Sequence, residues 1–156
     1  MTNKPTIFQS ETCGRCGGSG RYSYNQMHGS TCYGCSGKGS KLTKAGRAAY
    51  DFYLASVSKP ARDVVVGNKI WESIAIGSNI ASGWMRIHEI NVAEDGKLTL
   101  ICNHSKLGRI LFGSMPDALV QVAPTTEERD LKIAAALAFQ ATLGKNGKPL
   151  RAKEVA

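Results

Sequence analysis

Four cysteines in two closely spaced pairs constrain the fold of this chain more than any other feature of its sequence. Cys13 and Cys16 form the first pair, and Cys32 and Cys35 form the second. Two intervening residues let both sulfurs of a pair reach one ion, and the 15 residues between the pairs suit a four-cysteine zinc site. The spacing therefore predicts one structural zinc ion per chain, held by four thiolates.

The residues around these cysteines favour a metal over other ways of holding the segment together. Residues 1–40 are rich in glycine, serine and cysteine and poor in large aliphatic side chains, so they cannot build an apolar core. Because no signal peptide opens the chain, we expect a reducing compartment, where disulfides are the weaker alternative. Soft thiolates favour zinc, with iron as the alternative metal. Residues 21–31, between the pairs, are long enough for a β-hairpin.

The cysteine pairs belong to a repeated motif, Cys-x-x-Cys-x-Gly-x-Gly, at residues 13–20 and 32–39. This motif resembles the cysteine-rich zinc module of DnaJ-type chaperones. That family has four repeats and two zinc ions, so the two repeats here imply one ion. None of His28, His88 and His104 lies in the His-Pro-Asp tripeptide of a J-domain, so the resemblance implies the zinc fold without chaperone activity. Two-repeat versions also resemble zinc modules of small bacterial and phage proteins that bind partners of several kinds.

We expect an α+β protein built from four segments. A zinc module occupies residues 1–40, and a linking helix occupies residues 41–60. A small five-stranded, barrel-like β unit follows at residues 61–124, and a C-terminal helix with a basic tail completes the chain at residues 125–156.

Both helices are predicted from their caps and from the spacing of their apolar residues. Thr43 is the predicted N-cap of the linking helix, which ends at residues 58–60. Thr125 and Glu128 form a capping box for the C-terminal helix, and Gly144 is its predicted stop. The positions expected to face the core are Ala45, Ala48, Ala49, Phe52 and Val57 in the first helix and Leu131, Ala134, Ala135, Ala138 and Ala141 in the second.

The middle of the chain is typical of short β-strands. The strand candidates are residues 64–71, 84–92, 97–102, 109–112 and 119–122. Asp95-Gly96 is a hairpin signal, and Cys102 is expected to be a small buried hydrophobe. Burial statistics favour Trp71 and Trp84 as core residues, and the alternative is that they line a ligand-binding cage. Residues 66–71 and 83–87 also resemble the opening of small barrels of the KOW or Tudor kind, which bind nucleic acid or proteins.

Positive charge is concentrated at the two ends of the chain. Of the formal charge of +8, residues 1–60 carry +6, residues 61–130 carry −2 and residues 131–156 carry +4. An electropositive surface attracts phosphates or acidic proteins, and tyrosines among the cations can stack on bases. The candidate nucleic-acid contacts are Arg15, Arg21, Tyr22, Tyr24, Lys38 and Lys41. The alternative is that the tyrosines shield a small zinc fold and the cations only keep it soluble.

The sequence favours a binding protein over an enzyme. It contains no glycine-rich phosphate loop, no His-Glu-x-x-His and no Gly-x-Ser-x-Gly motif. No apolar run approaches the roughly 20 residues of a membrane span, and we expect a cytoplasmic protein without a membrane partner. We therefore predict a non-enzymatic, zinc-binding accessory or regulatory protein that associates with DNA or RNA through its basic zinc module and its basic tail. The alternative is a protein-binding adaptor or inhibitor, including a phage-encoded one directed at a host complex.

Overall fold

A computed structural model describes residues 7–24, 29–76, 79–104 and 108–150, and it confirms the α+β class. The strands are β1 (Ser10–Thr12), β2 (Ser40–Leu42), β3 (Ser58–Pro60), β4 (Lys69–Ile76), β5 (Asn79–Val92), β6 (Leu98–His104), β7 (Gly108–Ser114) and β8 (Leu119–Gln121). The helices are α1 (Lys44–Val57) and α2 (Thr126–Ala141), and a short 3-10 helix spans Ala61–Asp63. Within the described residues, neither helix is both long and apolar enough to cross a bilayer.

The chain divides into two compact units, which are described separately here. The first unit comprises Met1–Tyr53 and Ile133–Ala156, and the second comprises Leu54–Lys132. We call the part of the first unit from residue 7 to residue 42 the cysteine module, and we call the second unit the sheet unit.

The cysteine module contains a small antiparallel ladder and a hairpin. Strands β1 and β2 pair with Glu11 opposite Lys41. The hairpin expected between the cysteine pairs is present at its base, where Arg21 bridges to Thr31 and the Tyr22 N–H donates to the Ser30 carbonyl at 2.8 Å. The tip of this hairpin, residues 25–28, lies outside the described residues, and so does His28.

Helix α1 begins at the predicted cap. The Gly46 N–H donates to the Thr43 hydroxyl at 3.0 Å, which satisfies one of the free donors of the first turn. Ala45, Ala49 and Val57 are buried as expected, and Ala48 is half-buried. Phe52 is 42% exposed and stacks on Phe139 with ring centroids 4.8 Å apart. The predicted apolar face is therefore correct except at Phe52.

Helix α2 has the predicted capping box but buries a different face. The Thr125 N–H donates to the Glu128 carboxylate at 3.0 Å, and the Glu128 N–H donates to the Thr125 hydroxyl at 3.3 Å. The five positions expected to face the core are all exposed: Leu131, Ala134, Ala135, Ala138 and Ala141. The fully buried residue is Ala136, and Ile133 and Leu137 are half-buried beside it. Four alanines offer little apolar area, so the face with the larger side chains packs inward.

The predicted stop of α2 is also wrong. The helix ends at Ala141, before Gly144 is reached. The Gly144 N–H donates to the Lys148 carbonyl at 2.8 Å, and Leu143 bridges to Pro149. Residues 143–149 therefore form a tight turn, so this part of the basic tail is folded back on itself.

Four of the five predicted strands are present as β5 to β8, and the first is shifted: β4 begins at Lys69, so it shares only residues 69–71 with the predicted strand at 64–71. The sheet unit also contains β3. Strands β4, β5, β6 and β7 form an antiparallel sheet in that order, and β3 pairs with β8. A bridge between Ile70 and Val122 links the two ladders. The predicted turn at Asp95-Gly96 is confirmed, because Gly96 has φ +79° and the Ala93 N–H donates to the Lys97 carbonyl at 2.9 Å.

The core of the sheet unit lies on one face of the sheet. Its buried residues are Ala61, Val64, Ile70, Met85, Ile87, Leu98, Leu100, Cys102, Val120 and Val122. Cys102 is fully buried, as expected, and burial is the main cause that raises the pKa of its thiol.

The core placement of the two tryptophans is wrong. Trp71 is 39% exposed and Trp84 is 47% exposed. Successive residues of a strand point to opposite faces, and the inward positions are taken by Ile70, Met85 and Ile87. Both indoles therefore lie on the outer face of the sheet.

Candidate metal centre and nucleic-acid interface

The four cysteines predicted as metal ligands come together in the cysteine module. Their sulfur atoms all lie within 4.8 Å of one another. The Cys13 and Cys32 sulfurs are 4.0 Å apart, and the Cys16 and Cys35 sulfurs are 3.7 Å apart. A tetrahedral zinc site with Zn–S bonds of about 2.3 Å requires sulfurs about 3.8 Å apart. The cluster therefore has the size that one tetrahedral ion needs, and Cys13, Cys16, Cys32 and Cys35 are the residues that would hold it.

The two halves of this centre repeat the same backbone pattern 19 residues apart. The Cys13 N–H donates to the Gly39 carbonyl, and the Cys32 N–H donates to the Gly20 carbonyl, both at 2.9 Å. The N–H of the second cysteine in each pair donates to the carbonyl of the first at 3.3 Å in both halves. The repeated motif therefore builds a pseudo-two-fold module, in which each half ties down the first cysteine of the other.

The last glycine of each repeat makes this close approach possible. Gly20 has φ +71° and Gly39 has φ +76°, a backbone region that residues with a side chain rarely adopt. A Cβ atom on Gly20 would collide with the Gly37 carbonyl oxygen, and one on Gly39 would collide with the Gly18 carbonyl oxygen. The last glycine of each repeat is therefore required by packing between the two halves.

Backbone N–H groups of the motif glycines contact the Cys16 and Cys35 sulfurs. The Gly39 N–H donates to the Cys35 sulfur at 3.2 Å. Burial raises the pKa of the Cys16 thiol, but hydrogen bonds from the Gly20 and Gly18 backbone lower it more, to about 6. Burial raises the pKa of Cys32 to about 11. These N–H groups stabilise thiolates, which are the form that binds metal, and a divalent ion would displace the remaining protons.

Three of the candidate nucleic-acid contacts form one continuous surface on the module, which we call the Arg–Tyr stack. The guanidinium carbon of Arg15 lies 4.6 Å from the centroid of the Tyr22 ring. The Tyr22 and Tyr24 ring centroids are 5.4 Å apart, at an interplanar angle of 45°. Tyr24 is 87% exposed, whereas Tyr22 is half-buried beside the cysteines. The stack thus presents a cation and an accessible aromatic ring, and it is anchored by Tyr22, which packs against the cysteines.

The small residue at position 34 helps to place this cation. A Cβ atom on Gly34 would lie 3.4 Å from the Arg15 Cδ atom, so the Arg15 side chain crosses directly over Gly34. Arg15 belongs to the first cysteine pair and Gly34 to the second. The Arg15 side chain therefore contacts the opposite half of the module.

The other three candidate contacts lie elsewhere on the module. Arg21 is exposed at the base of the hairpin. Lys38 and Lys41 are exposed and line a cleft of about 890 Å³ in the first unit. The remaining lining residues of this cleft are Ile7, Phe8, Gly34, Cys35, Ser36, Ser40, Leu42, Arg47, Tyr50, Tyr53 and Ile133.

Sequence reasoning missed two aromatic features. Tyr50 and Tyr53 line the same cleft, and the Arg47 guanidinium carbon lies 6.0 Å from the Tyr50 ring centroid. Arg47 and Tyr50 are three residues apart in α1, a helical spacing that brings side chains together and that could have indicated the pair. The second feature is the exposed pair Trp71 and Trp84 on the sheet unit.

No family model, curated protein or solved structure matches this chain. The resemblances to the DnaJ-type zinc module and to KOW or Tudor barrels therefore stay predictions. Inference about function therefore rests on the cysteine cluster and the surfaces around it.

Proposed function

We propose that this chain is a zinc-stabilised, non-enzymatic accessory or regulatory protein that binds DNA or RNA through its cysteine module. The observation that carries the proposal is the Arg–Tyr stack, in which Arg15, Tyr22 and Tyr24 are joined by cation–ring and ring–ring contacts. An exposed aromatic ring beside a cation can stack on a base while the cation contacts a phosphate.

Zinc is the metal we assign to the centre. The sulfur separations of 3.7 and 4.0 Å suit a tetrahedral ion, and four thiolates form a closed structural site without an open coordination position. Zinc bound there would supply folding free energy and no redox or hydrolytic chemistry. Iron is the competing metal for four thiolates.

The charge of the module supports a nucleic acid as the ligand. Exposed Arg15, Arg21, Lys38 and Lys41 lie on a module in which Glu11 is the one acidic residue between residues 7 and 42. Cations that neutralise phosphates release counterions, which gives affinity without base specificity. We expect single strands to bind more tightly than duplexes, because only unpaired bases can stack on the exposed Tyr24 ring.

The test is a titration of labelled single- and double-stranded oligonucleotides at physiological salt and at two other salt concentrations. Tyr24→Ala is expected to weaken single-strand binding about tenfold, whereas Tyr24→Phe keeps the ring and should bind like the wild type. Arg21→Ala should reduce the log–log salt slope by about 0.7–0.9 for the contact removed.

Lys97→Ala is the matched control for Arg21→Ala, because Lys97 is an exposed cation on the sheet unit that is paired with Asp95 at 2.7 Å. It should leave both the affinity and the salt slope unchanged. Wild-type affinity weaker than about 10⁻⁴ M for every oligonucleotide would overturn the proposal, because that is the weak limit of ordinary non-specific binding.

The second candidate function is a protein-binding adaptor or inhibitor, and the cleft of the first unit is the observation that favours it. Phe8, Tyr50 and Tyr53 give the cleft an aromatic wall, and Lys38 and Lys41 add positive charge. Such a cleft suits an acidic segment of a partner protein with one or two apolar anchors. Tyr50→Ala should then abolish capture of a partner from nuclease-treated lysate, while Tyr24→Ala should not affect it.

A further inference from the structure

The outer face of the sheet unit carries an aromatic pair that its core does not use. Trp71 on β4 lies directly opposite Trp84 on β5 in the ladder. Their ring centroids are 5.5 Å apart, at an interplanar angle of 71°, and both rings are more than one-third exposed. Cross-strand aromatic pairs stabilise a sheet, but exposed indoles are also preferred contact surfaces for ligands.

A row of cations crosses the sheet immediately beside this pair. Lys69 lies opposite Arg86, Arg86 lies opposite Asn103, and Asn103 lies opposite Arg109, so the row spans β4 to β7. Lys69 and Arg86 are each two residues from a tryptophan on the same strand, and therefore share its face. The row and the aromatic pair together form what we call the Trp–cation face.

Two cations of this row are uncompensated. Arg109 pairs with Glu89 at 3.2 Å. Within the part of the chain that the structure describes, the Lys69 and Arg86 side chains form neither an ion pair nor a hydrogen bond. Like charges directly opposite each other in a sheet are destabilising, so the fold carries this pair at a cost in stability. An anion bound to the face would remove that repulsion.

We propose that the Trp–cation face is a second binding surface for single-stranded nucleic acid, separate from the cysteine module. Bases stack on Trp71 and Trp84, and the adjoining phosphates contact Lys69 and Arg86. The inference rests on the proposed function, since it assumes the same class of ligand, and it extends that function to single strands held at two places on the chain.

The surroundings of the indoles favour a nucleic acid over a protein partner. An aromatic anchor for a protein is normally surrounded by other contacts that exclude water. Here the neighbouring positions on the same face are exposed and polar or charged: Ser73 and Ser82 on one side, and Lys69 and Arg86 on the other. Aromatic rings with adjacent cations match the alternating bases and phosphates of a single strand.

The test uses intrinsic tryptophan fluorescence, because Trp71 and Trp84 are the only two tryptophans in the chain. Unlabelled oligothymidylate is titrated into the full-length, zinc-loaded protein. We expect saturable quenching and a spectral shift. Arg86→Thr should raise the oligothymidylate concentration at the midpoint of quenching about fivefold or more. Trp84→Ala should weaken binding about tenfold, measured by the anisotropy of fluorescently labelled oligothymidylate.

Two controls separate loss of binding from loss of structure. Arg86→Thr removes a like-charge pair, so its thermal midpoint should be unchanged or higher than that of the wild type. Leu111→Thr alters an exposed side chain of the same sheet, on β7, and should leave quenching unchanged.

The outcomes distinguish failure of this inference from failure of the proposed function. Oligothymidylate that binds by anisotropy without quenching, and with equal affinity for Arg86→Thr and wild type, overturns the Trp–cation face and leaves the module proposal standing. Quenching that persists in Tyr24→Ala and is lost in Arg86→Thr supports an independent surface. No binding by either method overturns both. Loss of a protein partner on Trp84→Ala, with oligonucleotide binding intact, assigns the face to protein and overturns the inference.

Discussion

The cysteine module and the sheet unit are stabilised by different interactions. In the module, the buried side chains around the metal site are cysteines, Cys13, Cys32 and Cys35, and the two halves are joined through glycine backbone. In the sheet unit, large aliphatic residues such as Ile70 and Ile87 are fully buried on one face of the sheet. The metal site therefore depends on its cysteine ligands and on backbone hydrogen bonds, whereas the sheet unit depends on apolar burial.

This difference explains why aromatic side chains are exposed to solvent in both regions. In the module, the Tyr24 ring contacts the Tyr22 ring and is 87% exposed. The sheet unit fills its core with aliphatic side chains, and the strand alternation puts Trp71 and Trp84 on the other face. Arg15 lies over the Tyr22 ring in the module, and Lys69 and Arg86 lie two residues from the tryptophans in the sheet unit; these combinations are the basis of the two binding proposals.

The largest effect expected from this comparison follows metal removal. A chelator should unfold residues 10–42 and leave the sheet unit folded, because structural zinc supplies about 10–16 kcal/mol to a domain with little other support. Amide NMR spectra recorded before and after chelation provide the measurement. Simultaneous loss of the β4 to β7 signals would show that the two regions are not stabilised separately.

Core truncation should give the reverse pattern. Ile87→Ala removes a fully buried side chain from the sheet unit and should cost about 2–5 kcal/mol of unfolding free energy without releasing metal. Trp84→Ala should cost less than Ile87→Ala, because the indole is 47% exposed, and its edge-to-face contact with the Trp71 ring is worth about 0.5–1.5 kcal/mol. Denaturant unfolding followed by circular dichroism measures the loss of unfolding free energy in both variants. Equal losses would show that Trp84 is a core residue.

Glycine substitutions test whether close backbone contacts join the two halves of the cysteine module. Gly39→Ala should greatly weaken metal binding, since it combines an unfavourable φ with a collision at the Gly18 carbonyl. Gly17→Ala has the unfavourable φ of +58° but open space, and should cost about 1–2 kcal/mol. Gly14→Ala has neither problem and is the neutral control. A competition assay with a metal indicator should rank the loss of metal affinity in this order. Unchanged metal affinity in Gly39→Ala would contradict the close contact between the two halves.

The smallest expected effect concerns a polar contact that involves neither the metal nor the apolar core. Thr125→Ala removes the cap of α2 and should cost about 1 kcal/mol. The Thr125 backbone N–H is the main cause that lowers the pKa of Glu128 below its usual value. The contribution of Glu128 is therefore present above its unfolded pKa and is lost as pH falls through the folded one.

Thermal unfolding measured between pH 7 and pH 3 checks this dependence. The difference between wild type and Glu128→Gln should shrink as the pH falls. A difference that stays constant across this pH range would show that the ionised Glu128 carboxylate does not stabilise the cap.

The metal site was predictable from the sequence because its information is local. Two Cys-x-x-Cys-x-Gly-x-Gly repeats specify both the ligands and the glycine positions, and the structure brings all four sulfurs together. Capping residues Thr43 and Thr125 were predictable for the same reason, since each acts within one helical turn. The strand turn at Asp95-Gly96 is likewise a local signal.

Burial was less predictable, because it depends on which face meets the rest of the fold. The tryptophans were placed in the core on residue type alone. The alternation in Trp84-Met85-Arg86-Ile87 already separates Met85 and Ile87 from Trp84 and Arg86, and it would have placed the indole with the charged side chain. Helix α2 offered two candidate faces, and only the tertiary packing selects Ala136 and its larger neighbours.

The contacts within the Arg–Tyr stack were also not predictable from the sequence. Arg15 and Tyr22 were both candidates, but their contact depends on the path of Arg15 over Gly34 in the other half of the module. Such a contact between distant residues follows from the folded module and not from the spacing of either motif.

The most direct test of the central claim, that four cysteines hold one zinc ion, is native mass spectrometry of the full chain under reducing conditions. The mass of the bound ion also separates zinc from iron. We expect one zinc per wild-type chain, none in Cys13→Ser or Cys35→Ser, and one in Cys102→Ala, whose cysteine lies in the sheet core. A metal-free wild-type chain, or zinc retained at full occupancy in Cys13→Ser, would contradict the account.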